Sequence, residues 1–226
     1  MDDAPKRHIR SFVMRSGHIT DSQRSTRDRL LPMWGIPYTT EPLDFKRIFG
    51  RDAPVILEIG FGMGETTAEI AQSNPQWNML GLEVYRPGVG ALLSKIEQRG
   101  LTNIRVIEHD AVEVLANMIP DACLDGVHIY FPDPWPKKRH HKRRLIQSPF
   151  VAHLVQKLKK GAYLHMATDW PEYATQMLDV CTQEPALENR AKEGFSPRPD
   201  WRPLTKFEAR GIRLGNPVAD LIFQKK

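Results

Sequence analysis

The sequence predicts an α/β fold: a doubly wound, mostly parallel sheet with an N-terminal basic arm and an antiparallel edge at the C-terminal end. Three observations predict it. Short apolar runs of strand length alternate five times with longer helical stretches between residues 54 and 181, the rhythm of repeated βαβ units. The first run empties into a glycine-rich turn that opens a helix, and acids stand at the ends of the first three runs, where open parallel sheets bind ligands. Across 226 residues, 41% hydrophobic and 26% charged composition supplies one sizeable core and excludes wholesale disorder.

Residues 1–50 are rich in Arg and Pro. Their apolar residues (Phe12, Val13, Met14, Leu30, Leu31, Trp34) show no sustained period, so an extended or partly ordered arm is expected, with one domain over 51–226. The first strand is 55–59 and its helix 65–72. The unit recurs as 79–84 with 87–99, 104–108 with 111–118, 126–131 with 145–158, and 163–167 with 172–181. A breaker-rich stretch at 195–203 and an apolar run at 218–223 predict an antiparallel edge strand or two. Cys123 and Cys181 are too few for a disulfide framework or a cysteine zinc site and read as reduced, buried thiols. No apolar run approaches the roughly 18 residues of a membrane span, and the polar N-terminus lacks a secretion signal, so a cytoplasmic protein without membrane contact is expected.

The chain carries 32 Lys and Arg against 27 acids. Residues 137–144 (KKRHHKRR) alone hold six of the basic residues and no acid, and without them 26 face 27. The positive balance is therefore local, the footprint expected for a polyanion, nucleic acid first.

The turn Gly60-Phe61-Gly62-Met63-Gly64 follows Glu58 with G-x-G-x-G spacing. A dinucleotide fold would place a third glycine at 65, where Glu65 stands, and a carboxylate at that helix N-terminus would repel a pyrophosphate. A ligand without phosphates fits better. S-adenosyl-L-methionine is such a ligand: Glu58 supplies negative charge for a cationic group, Glu83 stands where an acid reaches ribose hydroxyls, and Asp110 can accept from the adenine amino group. Taken singly, Asp110 reads as a helix cap and Glu83 as a solvated acid; taken together with the glycine turn, the acids read as a cofactor pocket.

Phe131-Pro132-Asp133-Pro134-Trp135-Pro136 follows the fourth strand, its prolines holding one acid and one indole rigidly beside the cofactor position, and the basic block comes directly after. With these motifs in view, the sequence closely resembles the bacterial tRNA (guanine-N7-)-methyltransferases, the TrmB family. The stretches that carry the resemblance are Arg10-Ser11-Phe12-Val13, Leu57 through Gly64, Pro87-Gly88-Val89-Gly90, His109 through Leu115, Phe131 through Trp135 with the basic block, His165 through Trp170, and Thr205-Lys206-Phe207-Glu208. Pro136 departs from the His of many relatives. The resemblance implies a class I S-adenosylmethionine-dependent, Rossmann-like fold and methylation of a variable-loop guanine in tRNA. It also implies cofactor binding by Glu58, Gly60, Gly62, Gly64, Glu83, Asp110 and Asp133, with Asp133 also catalytic. Substrate contacts are implied for Lys137, Asp169, Thr205, Lys206, Phe207 and Glu208, and RNA contacts for Arg139, His140, His141, Lys142, Arg143 and Arg144.

Guanine N7 carries an in-plane lone pair and no proton, so its methylation needs positioning and charge stabilisation rather than a general base. Asp133 or Asp169 would counter the positive charge that develops on the purine. Trp135 and Trp170 are candidates to stack on an extruded base, with a core-plug role as the alternative for each. His140 and His141 lack an acid or cysteine at ligand spacing, so no metal is expected. The rival enzyme, an adenine or cytosine amino-methyltransferase, would want Asp/Asn-Pro-Pro-aromatic, but Trp135 takes the second proline's place. A non-catalytic RNA-binding subunit would have no need of four intact acids. No obligatory protein partner is evident, and monomer or homodimer both remain open.

Overall fold

The structure, a computed structural model, describes residues 19–204, 208, 212–213, 215 and 217–226. The Arg10–Val13 motif and the substrate candidates Thr205, Lys206 and Phe207 lie outside the described residues. Five apolar runs become parallel strands: β1 (Val55–Ile59), β2 (Asn78–Leu82), β3 (Ile104–Ile107), β4 (Leu124–Tyr130) and β5 (Leu158–Thr168). With β6 (Leu187–Asn189) and β7 (Ala219–Lys225) they form one sheet in the order β3-β2-β1-β4-β5-β7-β6. All five β1 residues are buried, as a strand covered on both faces requires. The chain runs outward from β1 in one direction and resumes at β4 in the other. The carboxyl ends of β1 and β4 therefore flank the switch point where such sheets open a crevice.

Two apolar clusters fill the two faces. Helices α3 (Glu65–Ser73) and α4 (Arg86–Arg99) cover one through Ile70, Leu92, Leu93 and Ile96. Helices α5 (Ala111–Asn117), α6 (Ser148–Lys157) and α7 (Pro171–Gln183) cover the other through Leu115, Leu154, Tyr173 and Met177.

Two expectations change. The segment expected as an extended or partly ordered arm forms α1 (Asp21–Trp34) and α2 (Phe45–Phe49) over its described part. Thr20 and Gln23 close a reciprocal capping box at the start of α1, whose buried Leu30 joins the α4 face. The helices pack so closely that a Cβ on Gly90 would meet the Gln23 carbonyl oxygen at 2.5 Å. Beyond α1 the chain hydrogen-bonds to β3, Ile36 N–H donating to the Val106 carbonyl at 2.8 Å. The C-terminal strand β7 is antiparallel as expected but sits inside the sheet, between β5 and the three-residue edge β6. Cys181 is buried and Cys123 half-buried, and burial pushes each thiol up to about 12, leaving both as inert neutral groups.

Candidate active site

The glycine turn leaves β1 in left-handed backbone, with φ of +77° at Gly60, +56° at Gly62 and +70° at Gly64. At Gly60 and Gly62 nothing lies within 4 Å of where a Cβ would stand, so this backbone faces open space. Gly64 differs: a Cβ there would meet Leu92 Cβ at 2.6 Å, so the third glycine serves the approach of α3 to α4.

Glu83, directly after β2, accepts from the N–H groups of Gly62 and Val84 at 2.7 Å and of Tyr85 at 2.9 Å. One carboxylate thus fastens the glycine turn to the start of α4. Burial pushes its carboxyl upward; the three amides pull the other way, and the neighbouring charge of Asp133 adds to the upward push. Glu58 is 2% exposed, and its Oε2 has no hydrogen-bond partner among the described residues. Nor does the buried Thr67 Oγ1 on α3. Burial pushes the Glu58 carboxyl up to about 7, with Glu83 contributing. The Thr67 hydroxyl pulls the Glu58 carboxyl the other way, and the buried negative charge beside an open glycine cradle suits a ligand that brings positive charge.

A cleft of ≈ 210 Å³ opens at the carboxyl ends of the strands, lined by Gly60, Glu83, His109, Asp110, Phe131 and Asp133 among others. The acids expected there meet in it, except that Glu58 stands behind the wall. Asp110 caps α5 through the Val112 N–H at 2.9 Å and also lines the cleft. His109 was not singled out as a site residue. It stacks on Tyr38 at 3.7 Å between ring centres, so the segment after α1 buttresses the wall. Asp169 is exposed just beyond β5, beside the end of β4.

The Phe131–Trp135 stretch leaves β4 with positive φ at Phe131 (+50°) and Trp135 (+46°), strained values for aromatic residues. The basic block follows as a short 3₁₀ helix, Lys138–Arg143. Lys137, Lys138, Arg139 and Lys142 are exposed. Arg143 lies over the Trp135 ring at 4.5 Å and His140 meets its edge at 6.0 Å, so this indole anchors the block. Trp170 precedes α7 and packs against the core. Arg144 is a correction. Its side chain is 1% exposed, donates to the Pro134 carbonyl at 2.8 Å, to Gln176 and to His141 Nε2, and lies over Tyr173 at 4.8 Å. It ties the proline loop to α7 and is not available to RNA; His141 is partly drawn into the same structure.

Behind the cleft lies a polar network that the sequence reading missed. The Tyr130 hydroxyl meets His165 Nδ1 at 2.9 Å, and Trp201 Nε1–H donates to the same nitrogen at 3.1 Å. His165 Nε2 faces Asp220 at 2.7 Å. A carboxylate only accepts, so the proton sits on Nε2 and Nδ1 is the acceptor; burial holds the ring neutral, pushing its pKa below the ordinary value. Arg202 donates to both oxygens of Asp220 at 2.7 Å and to both oxygens of Glu208 at 2.6 Å. Glu208, expected as a substrate contact, is 5% exposed with both carboxylate oxygens on Arg202, which corrects it to a member of this buried network. His165, set between Leu164 and Met166 in the buried half of β5, was the available signal.

The fold and this site define a class I S-adenosylmethionine-dependent methyltransferase. The family described as "Putative methyltransferase" matches residues 52–221. The chain is 61% identical over 221 residues to the tRNA (guanine-N(7)-)-methyltransferase of Ralstonia pickettii, covering 97% of this chain and 86% of that one. It is 58% identical over 226 residues to the protein of that name from Nitrosospira multiformis, covering 100% and 98%. The chain belongs to the bacterial tRNA (guanine-N7-)-methyltransferase family. Among solved structures, the 16S rRNA methyltransferase KamB has a TM-score of 0.56 at 15% identity, covering 82% of this chain and 95% of that one, a likeness of fold.

Proposed function

We propose that this enzyme transfers the methyl group of S-adenosylmethionine to N7 of a guanine in tRNA, and that Asp133 is its catalytic residue. One observation carries the reading: a single rigid loop lines the cleft with Asp133 and continues without interruption into the exposed basic helix. RNA held by that helix is thereby presented to the cleft. The names of relatives 58–61% identical over nearly the whole chain support the same chemistry.

Gly60, Gly62, Glu83 and Asp110 would hold the cofactor, with Glu58 adding negative charge from behind the cleft wall, and the cofactor supplies an electrophilic methyl group on a sulfonium. The nucleophile carries its own lone pair, so no residue removes a proton to start the reaction. Asp133 counters the positive charge that develops on the purine, an interaction stronger in the transition state than in the neutral ground state. Asp169 faces the same end of the sheet and accepts from the guanine N1–H and amino group, which rejects adenine. Lys137, Arg139, Lys142 and Arg143 contact phosphates, with His140 beside them, and the tRNA substrate puts the enzyme in the cytoplasm. No helix among the described residues is long and apolar enough to cross a membrane.

Nucleoside mass spectrometry of unmodified tRNA incubated with enzyme and cofactor should yield 7-methylguanosine. A methylated adenosine or cytidine instead would overturn the assignment of the base.

A further inference from the structure

We propose that Phe131 is the platform on which the target purine is held, a substrate-positioning residue for the reaction proposed above and dependent on that reading. Trp170 packs on the core, Tyr130 is 9% exposed and His109 is stacked on Tyr38, while Trp135, with Arg143 over its ring, is not among the residues that line the cleft. Phe131 lines the same cleft as Asp133, two residues away, and keeps 38% of its surface exposed. Its backbone is locked in place, the N–H donating to the Ala167 carbonyl at 2.7 Å, and Arg202 lies 6.0 Å from the ring centre with its charge engaged by both Glu208 and Asp220.

The backbone adds an independent argument. A bulky residue at φ +50° stores strain that glycine would not, and the ring that this backbone holds at the cleft stays 38% exposed. Strain retained at a cleft rim points to work done by the side chain. An aromatic face beside Asp133 suits an extruded purine, and it suits the product better than the substrate: methylation makes the ring cationic, and a cation over a π face is attracted where a neutral base is merely stacked. The contact therefore strengthens as the methyl group is transferred.

The test compares Phe131→Leu, Phe131→Tyr and Phe131→Gly by single-turnover methylation of tRNA, S-adenosylhomocysteine titration and melting temperature. Leu should slow methylation by on the order of tenfold to a hundredfold. Tyr should recover most of that loss. Gly relieves the backbone and should be as slow as Leu without melting below it, each rate being read at the cofactor saturation that the titration sets. Rates that follow melting temperature rather than aromaticity, or a Leu variant as fast as wild type, overturn the proposal. A wild type that forms no 7-methylguanosine overturns the underlying function as well, whereas a competent wild type with an indifferent Leu variant overturns the platform alone.

Discussion

Asp133 and Glu58 illustrate two uses of a carboxylate in one site. Asp133 sits between Pro132 and Pro134 on the cleft wall, so Asp133→Asn preserves the loop and deletes only the charge. The loss should appear in the chemical step, on the order of 100-fold in single-turnover rate at saturating cofactor and tRNA. Asn is also a good turn residue, so near-normal turnover would mean that Asp133 merely shapes the loop. Glu58 is the opposite case, a buried acid whose cost is borne by the ligand-free protein. Its carboxyl is pushed up to about 7 from an ordinary 4.5. A raised folded pKa contributes stability that is fully present below the unfolded value and is lost as pH rises through the folded one. At pH 8 this loss is about 3 kcal/mol. Glu58→Gln should therefore be more stable than wild type by about that amount at pH 8 in urea titrations without cofactor. The advantage should shrink on acidification and vanish below about pH 4.5. A difference that does not change with pH would show that the cause is packing.

The basic 3₁₀ helix behaves as an element because its residues divide by burial. Charge counting treats Arg139 through Arg144 as equals, but Arg144 faces inward to Pro134 and Gln176 while Arg139 and Lys142 face solvent. Replacing Arg139, Lys142 and Arg143 with Ala should weaken tRNA binding and reduce the slope of log affinity against log salt by about 2, at somewhat under one unit per phosphate contact. A salt series parallel to wild type would reduce the block to a solvated loop. The sequence made the block and its place after β4 legible, since six cations without an acid stand out in any composition. It could not show which guanidinium is turned inward, because that depends on α7, 30 residues further on.

At the scale of the whole molecule, the parallel part of the sheet was legible because each βαβ unit announces itself locally, to within a few residues at the ends. The rest depends on partners distant in sequence. Leu30, Leu31 and Trp34 show their purpose only when α4 lies alongside, although the Thr20 and Gln23 pair was a readable cap. The apolar run in β7 is equally compatible with an edge and an interior position, and β6 is too short to show a period. The Arg202 network is the extreme case, joining residues 130, 165, 201, 202, 208 and 220 across β4, β5, β7 and the segment between β6 and β7. Such a network holds together only while its cation is in place. Arg202 supplies the cation to two carboxylates, Asp220 at 2% and Glu208 at 5% exposure. Arg202→Met keeps the apolar stem and strands both acids, so urea titration should show a loss of about 3–5 kcal/mol. Adding Glu208→Gln removes one stranded charge and should restore part of that stability, because two changes in one network are coupled. If the second substitution simply adds its own cost, the two carboxylates are not held by a common cation, and the link from the cleft wall to the C-terminal segment is lost with it.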